Sequence, residues 1–396
     1  MKMEKNSFEI GTDADCGIPK KVEERGKRDI TVDIIKGIGI VLMVVGHARA
    51  PLSDYISLFH MAIFFIASGF LINCKYADSL SGMMQYIWKK IKGLWIPYFV
   101  FTCSFLVLNN FFLKVNVYTN NPHFLTEKIL EDRYTSLGQY FGLIETVKQV
   151  VKAIIFRATT QMGGAFWFFM TLFSVLIAYM VCEYLLRKIF KTRLILLCGQ
   201  TMISLAFLVI GYICQINNIS LKGFDKTFSV YILIHIGRIL KQFGVMERLR
   251  DLFCGNGNII MLLFGFVVLL CGYQRGYISI GSNHIENPPF FIVMSFAGWL
   301  HLYGMAGILK KISLRLANGL SYISIHSVPI IALHFLSFKV INVIAVMLYG
   351  FESYMIAAFP VLMRTGAWWI LYAMAGIFIP LFLYNVLIFI FKHAKR

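Results

Sequence analysis

The chain has 396 residues, of which 58% are hydrophobic and 15% are charged, and its mean hydropathy is +0.70. Soluble domains contain about 45–50% apolar residues, so this composition excludes a soluble globular protein and predicts an all-α, polytopic transmembrane helical bundle. The formal net charge of +18 would suit a nucleic-acid partner. Because the basic residues lie in short loops beside apolar segments, we expect no nucleic acid and attribute most of the charge to membrane orientation.

Ten segments come close to the roughly 20 apolar residues that cross a bilayer as a helix. In chain order they are 31–49, 55–74, 94–113, 164–186, 194–215, 226–243, 256–273, 290–309, 320–348 and 367–391. The ninth is long enough to be kinked at Pro329. The sequence therefore predicts a polar N-terminal tail over residues 1–29, one membrane domain over residues 30–391 and a basic tail over residues 392–396.

The basic residues indicate how the spans are oriented. If the N-terminus is cytoplasmic, the basic loops after the second, fourth, sixth and eighth spans and the basic C-terminal tail are cytoplasmic too. Cytoplasmic loops carry the excess of Lys and Arg, so we predict a multi-pass protein of the cell membrane with cytoplasmic N- and C-termini. Most basic loops are expected to bind membrane lipids through their anionic headgroups. The long basic loop 114–163 falls outside, and part of it is expected to lie on the membrane as an amphipathic helix.

The first predicted span contains ionisable residues, which are costly in lipid and mark functional sites. Asp33, Lys36 and His47 lie on nearly the same stripe of a helix, and Lys36 and His47 are about 16 Å apart along it. The next segment adds His60 and Ser68 at helical spacing. These positions predict a polar face on the first helix with a second histidine nearby. The alternative is an ion pair between Asp33 and Lys36 at the membrane edge, with His47 in interfacial water beyond the span.

Two runs of residues indicate a family. They comprise Asp33, Lys36, Gly37, Gly39, Gly46 and His47, followed by Phe59, His60, Met61, Phe64, Ser68 and Gly69. In order and spacing they resemble the membrane acyltransferases of the acyltransferase type 3 family, especially its fucose 4-O-acetylase-like branch. Weaker matches around Trp167 and His334 extend the likeness over roughly residues 28–390. Many family members have Arg where this chain has Lys36, so the charge is kept but the planar, two-pronged donor is lost.

The resemblance implies an integral membrane O-acyltransferase, most simply an O-acetyltransferase. Its donor would be acyl-CoA, with acetyl-CoA the expected co-substrate, and its acceptor a hydroxyl of a sugar or surface-polysaccharide intermediate. The acceptor partner is then a carbohydrate or a lipid-linked glycan. The chain has no metal-ligand spacing, so we expect no metal. The oligomeric state stays open.

The catalytic candidates are His47, Lys36 and Asp33. Acyl transfer to a hydroxyl needs a base near neutral pH, a role that suits histidine, and the family's matching histidine is regarded as catalytic, which selects His47. Lys36 is expected to hold a phosphate or pantetheine group of the donor, or to pair with Asp33. Direct contact between Lys36 and His47 is excluded by the three helical turns between them.

Four further residues are the substrate-binding candidates: His60, Ser68, Trp167 and His334. His60 could contact the donor or hold His47 in place, and Trp167 could stack on a sugar. For His60 and His334 the alternative is a hydrogen-bonded histidine packed between helices, and for Trp167 it is packing or interfacial anchoring.

Two other functions would fit the embedded charges. A membrane transporter or flippase for a lipid-linked glycan is the first, because buried charges also mark transport routes. Transporters often contain paired repeats or broken helices, and neither is evident in the sequence. The second is an inactive family member that acts as an assembly partner, against which the intact Gly46-His47 and Phe59-His60-Met61 segments argue.

Overall fold

A computed structural model describes residues 29–130, 136–253 and 255–393 of the chain. Residues 1–28 of the predicted N-terminal tail and residues 394–396 of the predicted C-terminal tail lie outside the described residues. The helices are α1 (Ile30–His47), α2 (Ser53–Ser57), α3 (Ala62–Phe70), α4 (Leu80–Lys90), α5 (Ile96–Val107), α6 (Asn109–Lys114), α7 (Leu143–Ile154), α8 (Trp167–Ile189), α9 (Arg193–Ile216), α10 (Phe224–Gln242), α11 (Val245–Leu252), α12 (Gly257–Tyr273), α13 (Pro288–Ile312), α14 (Leu314–Ile325), α15 (Ser327–Tyr349) and α16 (Trp368–His393).

Helix length and apolarity confirm the predicted all-α polytopic bundle. Within the described ranges, eight helical stretches are long and apolar enough to cross a membrane, or nine if α10 and α11, bent by 57°, form one span. The predicted count of ten is larger because it includes 256–273. That segment is the helix α12, which is apolar and has 17 residues, one fewer than α1.

Three predicted spans are interrupted, among them the third, in which a turn at Leu108 separates α5 from α6. The second is not one continuous helix, because turns at Leu58–Met61 separate α2 from α3, a break that the sequence did not indicate. The ninth is interrupted at His326, just before the predicted kink at Pro329. Proline has no N–H to bond the carbonyl four residues earlier. The chain therefore ends α14 at Ile325 and starts α15 two residues before the proline.

Helix α1 lies inside the bundle and defines its two sides. It packs against α3, α13, α14, α15 and α16. We call the side where α1 begins the Asp29 face and the side where it ends the His47 face. Near the start of α1, Lys310 at the end of α13 donates a hydrogen bond to Thr31 Oγ1 over 3.1 Å, and Lys241 at the end of α10 lies 4.0 Å from the Asp29 carboxylate. These helices thus end on the Asp29 face.

Two short elements lie outside the long helices, and the first of them is on the His47 face. An antiparallel hairpin pairs β1 (Ile278–Ser279) with β2 (His284–Ile285) in the register Ile278 to Ile285 and Ser279 to His284. The helix α7 occupies the loop in which an amphipathic helix was predicted. One side of α7 exposes apolar residues that include Leu143, Ile144, Val147 and Val151, and the helix packs against α5, where Trp95 Nε1 donates to the Ile154 carbonyl over 3.0 Å.

Candidate active site

His47 is the last residue of α1 and lines a cavity of about 530 Å³ on the His47 face. The helix stops here because Arg49 has a φ of 60° and Pro51 follows, a residue that cannot continue the helix. The cavity walls come from this turn, the break between α2 and α3, the start of α8, the hairpin and the loop before α16. Its polar lining comprises Arg49, Ser53, Asp54, Ser57, His60, Ser279 and Ser282.

His334 on α15 stacks against His47. The ring centroids are 5.3 Å apart and the planes are inclined by 26°. His334 Nδ1 lies 3.0 Å from the carbonyl oxygens of Ile330 and Ile331, so it is the protonated nitrogen, since carbonyls only accept. The other nitrogen, Nε2, is then an acceptor, and it is buried without a hydrogen-bond partner among the described residues. Phe335 packs on both rings, at 4.9 Å from His47 and 4.0 Å from His334.

The structure brings His60 to the His47 cavity but not Ser68. His60 lies in the break between α2 and α3, and its Nδ1 donates to the Ile56 carbonyl over 2.8 Å, which leaves Nε2 for the cavity. Ser68 lies within α3, does not line this cavity, and its hydroxyl donates to the Phe64 carbonyl over 2.7 Å. Helical spacing from His60 does not carry over to Ser68 because the helix starts only at Ala62.

Trp167 begins α8 and also lines the His47 cavity. The hairpin packs tightly on its indole, since a Cβ added at Gly281 would lie 3.2 Å from Trp167 Cε2. The Lys226 ammonium lies 5.5 Å from the Trp167 ring centroid, a cation–π distance. The indole is therefore held between the hairpin and the start of α10, with an edge left for the cavity.

Asp33 and Lys36 line a different and larger cavity. It has a volume of about 1130 Å³ and opens on the Asp29 face. Asp33 is buried, whereas Lys36 is half-buried. The basic residues around it are Lys36, Lys75, Arg187, Lys191, Arg193, Arg238 and Lys241, and the acidic ones are Asp29 and Asp33. Positive charge therefore predominates, and the cavity suits an anionic ligand.

Glu183 fixes two of these arginines and was missed by the sequence analysis. Its carboxylate is fully buried on α8 and accepts hydrogen bonds from Arg238 Nη2 and Arg187 Nε, each over 2.9 Å. Gln200 Nε2 donates to the same carboxylate over 3.1 Å. Burying a carboxylate is costly unless it is paired, so these contacts lock the Arg238 guanidinium at the cavity wall. The signal that could have found it is an acidic residue inside a predicted span.

A small apolar cavity, which we call the neck, adjoins the His47 cavity and shares Met43, His47, Met61 and Trp167 with it. Its volume is only about 20 Å³, and Ile40, one helical turn after Lys36, places it between Lys36 and His47 along α1. Its remaining lining residues are Phe64, Ala165, Phe168 and Ile331. Lys36 and His47 therefore share one helix but face different cavities, a separation that the predicted polar stripe did not contain.

Lys339 is a second residue that the sequence analysis missed. It is buried on α15, and its ammonium donates to the carbonyls of Ala357 and Ala358 over 2.8 Å and of Ile356 over 3.2 Å. Asn342, one turn later, donates to two of the same carbonyls, those of Ile356 and Ala358. Together they hold the loop whose next residues, 359–360, form one wall of the His47 cavity.

Comparison with known proteins gives one finding. A sequence model of the acyltransferase domain family called acyltransferase 3 matches residues 29–385, nearly the whole chain. No curated protein and no solved structure matches the chain. In the described part of the chain, no group of three or more His, Cys, Asp or Glu side chains is arranged to hold a metal ion.

Proposed function

We propose, from the premise that this chain belongs to the acyltransferase 3 family and is a membrane acyltransferase, that it transfers an acetyl group from acetyl-CoA to a hydroxyl of a sugar or surface-polysaccharide intermediate. One observation carries the proposal. A basic cavity and a histidine-containing polar cavity lie on opposite faces of the bundle, and the apolar neck adjoins the second cavity between Lys36 and His47 along α1.

The basic cavity suits the donor. Coenzyme A carries phosphate groups, which bind best to guanidinium and ammonium donors. Arg238, held by Glu183, offers a fixed guanidinium, and Lys36 adds an ammonium group from α1. The acyl-bearing arm of the donor would then extend through the neck towards His47. Met43 and Met61 line the neck, and unbranched methionines can rearrange to admit the arm.

His47 supplies the base. Its imidazole accepts the proton of the acceptor hydroxyl while the hydroxyl oxygen attacks the thioester carbonyl carbon. The new C–O bond forms, the C–S bond breaks, and the departing sulfur takes the proton from His47. The products are an O-acylated sugar and free coenzyme A. Hydroxyl, imidazole and charged groups around His47 suit an acceptor with several hydroxyls.

The positions of the two cavities on opposite faces indicate in which direction the acyl group crosses the membrane. Both termini are proposed to be cytoplasmic, which puts the Asp29 face and its basic cavity in the cytosol, where basic loops concentrate. The acyl group would then pass to an acceptor on the outer side of the cell membrane, since His47 lies at the end of α1.

The test uses the full chain reconstituted in liposomes, with radiolabelled acetyl-CoA and the glycan fraction of cells that lack the gene. We expect His47→Ala to lower acetyl transfer by about 10²- to 10⁴-fold, the range for a lost general base, while equilibrium dialysis gives unchanged CoA binding. His393→Ala is the matched control, because this histidine is exposed at the end of α16. Transfer to a non-carbohydrate acceptor alone, or full activity of His47→Ala, would contradict the proposal.

A further inference from the structure

A second polar cavity adjoins the His47 cavity. Its volume is about 720 Å³, larger than the 530 Å³ around His47, and Tyr277 and Ser282 line both cavities. It is formed by the end of α9, the loop to α10 and the hairpin. Its polar lining comprises Gln215, Asn218, Ser220, Asp225, Lys226, Ser282, Asn283 and His284. A lipid-facing groove would be apolar, so the lining indicates a hydrophilic ligand.

The hairpin that divides the two cavities is held in place from behind. Gln215 Nε2 donates to the Ile285 carbonyl over 2.9 Å, and the Ile285 N–H donates to Gln215 Oε1 over 2.8 Å. The Ser229 hydroxyl donates to Asn283 Oδ1 over 2.9 Å. These bonds fix the shared wall before any ligand binds, which lowers the entropy cost of binding.

Other polar groups of the cavity remain available to a ligand. The side chains of Asn218, Ser220 and Tyr277 make no hydrogen bond to another residue within the described ranges. Amide and hydroxyl groups of this kind both donate and accept, as sugar hydroxyls do. Lys226 lies at the border, because it lines this cavity and stands over Trp167, which lines the other.

We propose that this cavity binds the sugar unit next to the one that is acylated, so that the acceptor is a glycan chain of at least two units. The inference rests on the proposed function and deepens it. One unit lies beside His47, the glycan chain passes Tyr277 and Ser282, and the neighbouring unit occupies the polar cavity. Binding energy from a non-reacting unit raises kcat/KM for the longer acceptor.

The test compares acceptors of two lengths. The probes are the monosaccharide and the trisaccharide released by partial hydrolysis of the glycan from cells that lack the gene. For the wild-type protein we expect kcat/KM to be at least about tenfold higher with the trisaccharide, equivalent to about 1.4 kcal/mol. Equal kcat/KM values for the two acceptors would overturn the inference. Absence of transfer to either would instead overturn the proposed function.

Variants of the cavity test whether it causes the preference for the longer acceptor. Ser220→Trp fills the cavity from an exposed position and should bring the ratio of the two kcat/KM values near one, with the monosaccharide value unchanged. Asn120→Trp, at an exposed loop position outside this cavity, is the control and should keep the wild-type ratio. Asn218→Gly removes an amide at a φ of 53°, where glycine is unstrained, and should lower the ratio severalfold even if Ser220→Trp does not fold. An unchanged ratio in a folded cavity variant would overturn the inference.

Discussion

The imidazole rings of His47 and His334 are stacked with their centroids 5.3 Å apart, although the two residues come from helices at opposite ends of the sequence. The backbone contacts of His334 Nδ1 leave Nε2 as an acceptor, and Nε2 is buried without a hydrogen-bond partner among the described residues. The proposed base therefore has a second imidazole as its neighbour, with Phe335 covering both rings.

We expect His334→Phe to lower kcat by about 10- to 100-fold, less than the loss of the base itself, because the ring volume is kept while Nε2 is removed. His334→Ala should in addition lower the melting temperature, since a buried ring is lost and a cavity remains. Steady-state acetyl transfer and thermal unfolding in detergent measure the two effects. Wild-type kcat in His334→Phe would make His334 a packing residue only.

Lys36 should act through its charge on the donor. Lys36→Arg keeps a cation at the wall of the basic cavity and should retain most activity, whereas Lys36→Met should raise KM for acetyl-CoA about tenfold with little change in kcat, as for uniform binding. Protein abundance is measured beside the rates. A well-folded Lys36→Met protein with wild-type donor kinetics would remove Lys36 from the donor site.

The sequence was most informative where the structure is local. Asp33, Lys36 and His47 lie on one continuous helix, so helical spacing was enough to place them. Spacing failed for Ser68 because turns interrupt the second span beside His60. The spacing of polar residues along a segment does not indicate where a helix is interrupted.

Features that depend on contacts between distant segments could not be predicted. The neck between Lys36 and His47 exists because Phe64 and Phe168 pack there from other helices. Lys339 on α15 donates to the carbonyls of Ala357 and Ala358, which lie in the loop that follows this helix. A single sequence gives the polarity of each residue but not which segments pack together.

Lys339→Met should destabilise the protein modestly and selectively. Two of the three carbonyls that Lys339 bonds also accept from Asn342, so the Ala357 carbonyl alone loses its side-chain donor. One unsatisfied buried acceptor costs about 1–3 kcal/mol. We expect a lower melting temperature and a raised KM for the acceptor, because the 359–360 wall loosens. Lys311→Met, at an exposed lysine, should change neither, and equal effects of both variants would exclude the role of Lys339.

Reporter fusions test the orientation. Fusions after Arg193 and at the C-terminus should both report the cytoplasm, and an insertion at Ser282 on the His47 face should report the outside. The structure supports a common side for the first two, because α9 begins at Arg193 beside the basic cavity and α16 runs back to place Asn385 3.0 Å from Tyr322 of α14. If the reporter after Arg193 or the one at the C-terminus reads outside, a span has been miscounted.

Substitutions at two glycines of α1 should have different effects, one on folding and the other on the path of the donor. A Cβ at Gly37 would lie 2.1 Å from the Leu320 carbonyl oxygen, whereas one at Gly39 would lie 2.9 Å from Phe64 Cζ. The Leu320 backbone cannot move aside without shifting α14, whereas the Phe64 ring can rotate about its side-chain bonds. Gly37→Ala should therefore force α1 away from α14 and prevent stable folding. Gly39→Ala should fold but push the Phe64 ring within the neck.

Gly39→Ala should then lower kcat for acetyl transfer about tenfold while CoA binding stays at the wild-type value, since the basic cavity is untouched. The double variant Gly39→Ala with Phe64→Leu gives back the lost space and should restore most of the rate, an interaction that a double-mutant cycle measures. If Gly39→Ala alone transfers acetyl at the wild-type rate, the acyl group does not pass Phe64 on its way to His47.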